Sequence, residues 1–174
     1  MNFIGRIAGV LITLIAFSGP AMAQGKIAVL NLEEAVFNTE AAKSRVEALR
    51  QTPEYTKNRN EAEELQNELQ KLADEFKKNG EVMSDEQRAD QQRKAKELQT
   101  DLEFVAKKLQ ESERAVAQQI MRELLPKANQ VVAELIKVEG IGLLLNGQQQ
   151  IVLHADAGYS INAKVTEKLN QTAQ

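Results

Sequence analysis

From Thr39 to about Val138 the chain is written mostly in Ala, Glu, Lys, Gln, Leu and Arg, interrupted only by Pro53, Asn79-Gly80 and Pro126. These are strong helix formers, so about a hundred residues must be accommodated as helix. Within them Ala62, Leu65, Leu69, Leu72 and Phe76 recur at alternating intervals of three and four. The same rhythm returns in Leu98, Leu102, Val105 and Leu109, continued by Ser112 and Val116. Each set is the narrow apolar stripe of a coiled coil, which is stable only when buried against another helix.

The stretch Lys77-Lys-Asn-Gly-Glu-Val-Met-Ser-Asp-Glu-Gln87 decides how the stripes meet. Lys77 and Lys78 suit the negative end of a helix dipole, and Gly80 suits a left-handed C′ position. Ser84 with Gln87 three residues on is a capping box, and Asp85 and Glu86 favour a new N-terminus. A stop and a start this close predict an antiparallel helical hairpin, in preference to one long rod with a flexible hinge. Folding about residue 81 sets Leu65 near Leu98, Leu72 near Gln91 and Tyr55 opposite Lys108. About forty helical residues on each side make an arm of ~60 Å. Near the tip the second stripe offers only Arg88, Gln91 and Ala95, so weak packing is expected there. Thr52-Pro53-Glu54 reads as a helix restart, and the apolar phase of Ala42, Val46 and Leu49 does not run on to Tyr55 and Ala62. Pro126 is expected to bend the descending helix.

The flanks differ in texture. Lys26 to Asn31 reads as a strand, followed by a helical turn or two in Leu32-Glu-Glu-Ala-Val-Phe-Asn38. Ile141–Leu145 and Gln149–Ala155 read as two strands joined through Asn146-Gly147, a hairpin turn signal. Asn162 is the expected N-cap of a closing helix that turns Val165 and Leu169 inward. The fold class is therefore α+β, predominantly α: a long antiparallel helical hairpin on a small three-stranded base. The arm occupies 39–126 with its tip near 79–84, and the base takes 24–38 and 127–174. Such a small base is marginal alone and leaves sheet edges open, so association through it is expected.

Residues 1–23 read as a secretory signal peptide rather than a membrane anchor. Arg6 is the only charge before an apolar run from Ile7 to Phe17, and Ala21-Met22-Ala23 supplies a cleavage site after Ala23. Residues 24–174 then carry 21 basic and 25 acidic residues, which argues against nucleic acid and against anionic membrane surfaces. The absence of cysteine means an exported chain stable without disulfides. No catalytic constellation is visible, and neither a cofactor nor a metal site is expected. His154 stands alone, no zinc-binding spacing occurs, and Gly140-Ile-Gly142 precedes a strand rather than a helix. Asn170-Gln171-Thr172 matches a glycosylation sequon. What remains off the stripes is apolar: Phe104 beside Val105, Val82 and Met83 at the tip, Met121 and Leu125 low on the stem. Dispersed and partly flexible, these suit an unfolded client.

The order of strand (KIAVLNLEEAVFN), charged helical hairpin and closing segment (GLLLNGQQQIVLHADAGYSINAKVTEKLN) resembles the Skp/OmpH family of periplasmic chaperones. The resemblance implies a homotrimer whose bases assemble through their strands and whose arms enclose a cavity for unfolded outer-membrane β-barrel proteins, without ATP. Carried onto this chain, Ile27, Val29, Leu143, Leu145, Ile151 and Leu153 become the assembly positions. Phe104, Val116 and Met121 on the arm, with Val82 and Met83 at its tip, become the client-binding positions. One departure stands out. The better-known members are strongly basic, with positive arm tips, whereas residues 39–125 here carry 16 positive and 19 negative charges. Clients would be held more by apolar contact than by charge. The competing reading is a structural coiled-coil spacer of the envelope with no client.

Overall fold

The computed structural model describes residues 25–148 and 152–172. Strand β1 (Lys26–Leu30) leads into a short helix α1 (Leu32–Phe37) and then α2 (Glu40–Arg50). The arm is α3 (Pro53–Asn79) running out and α4 (Asp85–Glu139) running back, followed by β2 (Ile141–Asn146). After a single 3₁₀ turn (Ala157–Tyr159), α5 (Asn162–Thr172) closes the chain.

Local chemistry sets these boundaries. Ser84 and Gln87 form the reciprocal capping box, each side chain bonded to the other's backbone N–H. Thr39 and Thr52 accept hydrogen bonds from the N–H groups of Ala42 and Tyr55, so α2 and α3 are separately capped and the restart at Pro53 is real. Gly80 departs from expectation. Its backbone is right-handed, φ −60° and ψ −29°. It is glycine for a different reason: a Cβ there would lie 2.4 Å from the Phe76 carbonyl oxygen. The left-handed glycine is Gly140, φ 64°, which ends α4 and turns the chain into β2.

Helix α4 runs unbroken through Pro126 for 55 residues, ~80 Å. An interior proline costs about 3 kcal/mol. Leu124, Ala128 and Val131, all buried, surround it in sequence and offset that cost. Along the arm, Leu98 and Val105 are buried, while Leu65, Leu69, Leu72, Leu102 and Leu109 are only half-buried. Two helices sharing one seam cannot enclose it. Tyr55 and Asn58 continue the stripe from Ala62 at intervals of three and four, and Asn58 is 6% exposed. The phase is therefore kept up to the break, with a polar residue inside it. Tyr55 meets Glu113 through a 2.5 Å hydrogen bond, beyond Lys108. A helical side chain leans toward its own N-terminus, which for α3 is toward the base.

The base holds the main core. Ile120, Leu124, Ala128, Val131 and Leu135 of α4 pack with Ala28 and Leu30 of β1, Ala35 and Val36 of α1, and Val165 and Leu169 of α5. Val165 and Leu169 face inward as the sequence predicts. The sheet corrects the predicted base. Among the described residues it has two strands, and β1 and β2 run parallel, with Ile27 beside Leu143 and Val29 beside Leu145. Val152–Ala155 form no strand, and Gln149–Ile151, including Ile151, lie outside the described residues. Asn146-Gly147 still turns the chain: Asn146 Oδ1 accepts from the Gln148 N–H, and the Gly147 N–H donates to the Leu30 carbonyl. The turn lets β2 leave the sheet edge.

Asn162 is a second correction. Its side chain does not serve its own helix; Oδ1 accepts from the Asn31 N–H at 2.9 Å and Nδ2 donates to Glu34 at 3.0 Å. It thus fastens α5 to the β1–α1 junction. Leu169→Ala is expected to lower unfolding free energy by about 2–5 kcal/mol. Phe104→Ala on the exposed arm should change it by no more than about 0.5 kcal/mol. Urea titrations followed by far-UV circular dichroism would measure both.

Candidate assembly and client-binding surfaces

Strand alternation, shifted by one residue where Lys26 pairs with Ile141 but Ile27 with Leu143, splits the base sheet into two faces. Ala28, Leu30, Ile141 and Leu144 turn to the core. The other side chains, Ile27, Val29, Leu143 and Leu145, stand in paired register on the opposite face. Ile27 and Leu143 are each about half exposed, 50% and 49%. A continuous four-residue apolar patch on a two-stranded sheet has no covering element among the described residues. Leu153, 95% exposed, lies in the segment after the turn and outside that patch. The free side of β1 is partly paired, since Val29 bridges Ser160 and its carbonyl accepts the Ile161 N–H. The corresponding edge of β2 has no partner strand among the described residues.

Electrostatic contacts fix how the arm leaves this base. Arg45 of α2 pairs with Glu123 of α4, which Gln119 also donates to. Glu139 at the end of α4 receives Lys164 of α5 on both oxygens at 2.7 Å, with Lys26 of β1 at 4.0 Å. Hydrogen bonding by Arg45, then by Gln119, holds the Glu123 carboxyl below its ordinary range, and hydrogen bonding by Lys164 does the same for Glu139. The Tyr55 hydroxyl is pushed up, first because it donates to Glu113. Asn170, of the sequon, accepts the Glu40 N–H at 2.9 Å. Its carbonyl oxygen thus caps the start of α2.

The client-binding candidates separate into two groups. Val116 and Met121 are half-buried and pack against the base core. Phe104 is 59% exposed on α4, with the Lys108 ammonium 4.4 Å from its ring centroid. Val82 is exposed at the tip, while Met83 is partly sheltered beside Gln87 and Gln91. Near the tip there is also a feature that the stripe pattern foreshadows. Large side chains on α3, Leu69, Leu72 and Phe76, face Gln91 and Ala95 on α4, and the under-filled seam opens as a groove of about 480 Å³. Glutamines at 66, 70, 92 and 99 frame it. Polar-residue counting passes over these glutamines because they read as a solvated helix face.

The described residues contain no cluster of His, Cys, Asp and Glu suited to a metal ion, and no helix among them is long and apolar enough to cross a membrane. Residues 26–169 match the family of OmpH-like outer membrane proteins. The chain belongs to the OmpH-like family. That match spans the sheet, both arm helices and most of α5. OmpH-like proteins are in general periplasmic chaperones of outer-membrane proteins. No curated protein and no solved structure matches the chain significantly.

The two lowered carboxyls define an acid response. Each has a folded-state pKa below its ordinary value of 4.5. Their contribution is complete above that value and is lost as pH falls through the lower, folded one. Wild-type urea midpoints should fall on acidification below about pH 4.5, and part of that fall should be missing in Glu139→Gln.

Proposed function

We propose that the protein is an ATP-independent periplasmic holdase that keeps unfolded outer-membrane β-barrel proteins from aggregating. The observation that carries this reading is the family match across residues 26–169, arm and base together. The signal-peptide pattern of residues 1–23 supports delivery to the periplasm. In this reading the bases of three chains join through Ile27, Val29, Leu143 and Leu145, and the arms surround the client. The uncovered apolar face of the sheet supports such an assembly, because exposing it on a monomer is unfavourable. Holding needs no catalytic group. It needs many weak contacts with a client that has no fixed shape, and exposed Phe104 and Val82 provide apolar contact of that kind.

The near balance of charge along the arm, 16 positive against 19 negative over residues 39–125, favours contact by apolar and aromatic groups over electrostatic capture. Client affinity should therefore depend weakly on salt.

The deciding experiment dilutes a urea-unfolded β-barrel protein into increasing amounts of the mature chain while light scattering is followed. Suppression saturating near three chains per client is the expected result. Unchanged scattering with a folded oligomer present would favour the envelope-spacer reading. Phe104→Asp is expected to weaken client binding with oligomer mass unchanged, by fluorescence anisotropy and multi-angle light scattering. Leu143→Asp is expected to yield monomer or unfolded chain; an oligomer of native mass would exclude the sheet face as the assembly surface.

A further inference from the structure

We infer that the groove near the arm tip is a binding site for extended, uncharged polypeptide, in which apolar side chains enter the seam between α3 and α4. The inference rests on the chaperone reading for its biological meaning, and on the groove itself for its chemistry.

The groove exists because the two stripes stop matching. From Leu98 downward, α4 offers Leu, Val and Leu to its partner; above it, Gln91 and Ala95 face the same α3 stripe. Phe76 is 42% exposed as a result. The void, about 480 Å³, lies within the size range of ligand sites. Its floor is leucine, alanine and phenylalanine, and half of its ten lining residues are glutamine.

Charge is what the lining excludes. None of the ten residues is Asp, Glu, Lys or Arg, although 35 of the 87 residues from 39 to 125 are. A site for an anion or a cation would carry the opposite charge. A primary amide offers both a donor and an acceptor, which is what a peptide backbone presents. Gln91, whose Oε1 is buried with no hydrogen-bond partner among the described residues, also lines the groove. An extended segment turns alternate side chains to one side. A chain with an apolar residue at every second position would fill the floor and lay its backbone along the glutamines. Transmembrane β-strands have that alternation.

The test uses the mature full-length chain and a short fluorescent peptide alternating valine and serine, capped at both ends. Ala95→Leu and Ala73→Leu each fill the groove from one side with a good helix former. Both are expected to weaken peptide binding about tenfold or more, with thermal unfolding no lower than wild type. Wild-type affinity should be nearly the same at low and high salt. The inference is overturned if wild type does not bind the peptide, or if both variants bind it as wild type does. Binding abolished by salt would also overturn it. So would concentration-dependent association of wild type that both variants lose, since a second copy would then be the occupant. If wild type binds the peptide in the groove but does not suppress β-barrel aggregation, the groove stands and the holdase reading falls.

Discussion

Ile120, Leu124, Ala128, Val131 and Leu135 stand at intervals of four, four, three and four on α4, and the base is assembled against that stripe. Strand β1, α1 and α5 all bury their apolar side chains there. None of those pieces is long enough to be stable by itself. The two strands are 115 residues apart in the pairing of Lys26 with Ile141, yet parallel. Parallel pairing requires a crossover connection, and here the whole arm is that connection. Function and fold are thus joined in one helix: the end of α4 that organises the sheet is continuous with the end that projects the arm.

The distribution of burial follows from this arrangement. At the base, several elements cover α4 and its stripe is almost fully enclosed. Along the arm a single partner covers it, and alternating members of the seam stay half-exposed. A structure whose purpose was stability alone would have no reason to leave Phe76 and Phe104 in water. The arm keeps enough packing to remain helical and leaves its outer portion apolar and accessible. Separately capped α2 and α3 belong to the two regimes, α2 packed on the base and α3 on the seam, and the Arg45–Glu123 and Tyr55–Glu113 contacts flank the junction between them.

Much of this was legible in the sequence because it is local. The turn at the tip announces itself through Ser84 and Gln87, and the restart through Thr52 and Pro53. These signals concern backbone groups within four residues of one another. What was not legible depends on distant residues. The partner of β1 is fixed by burial on α4, so the parallel pairing left no mark in either strand. Asn162 looked like a helix cap because asparagine usually is one; its partners, Asn31 and Glu34, are about 130 residues away. Gly80 suited a left-handed cap and instead makes room for a carbonyl oxygen. Asn58 carries no hydrophobic signal, although its spacing from Tyr55 and Ala62 is that of the stripe. The apolar face of the sheet was readable by alternation, whereas the groove required both helices in register.

The stripe on α4 also explains where the ascending helix breaks. From Leu98 to Val116 its members alternate by four and three, a 3.5-residue period that keeps two helices wound together. From Val116 to Ala128 the intervals are four, four and four. Extra residues of this kind locally unwind a coiled coil, so the stripe swings away from the line of α3. A partner helix that continued straight would lose contact with it. The chain instead ends α2 at Arg50 and starts α3 at Pro53, and the contacts on either side of that break reach Glu123 and Glu113, one on each side of Val116. The break on one helix and the change of period on the other are therefore one feature, needed wherever a two-helix seam must merge into a core built from more than two elements.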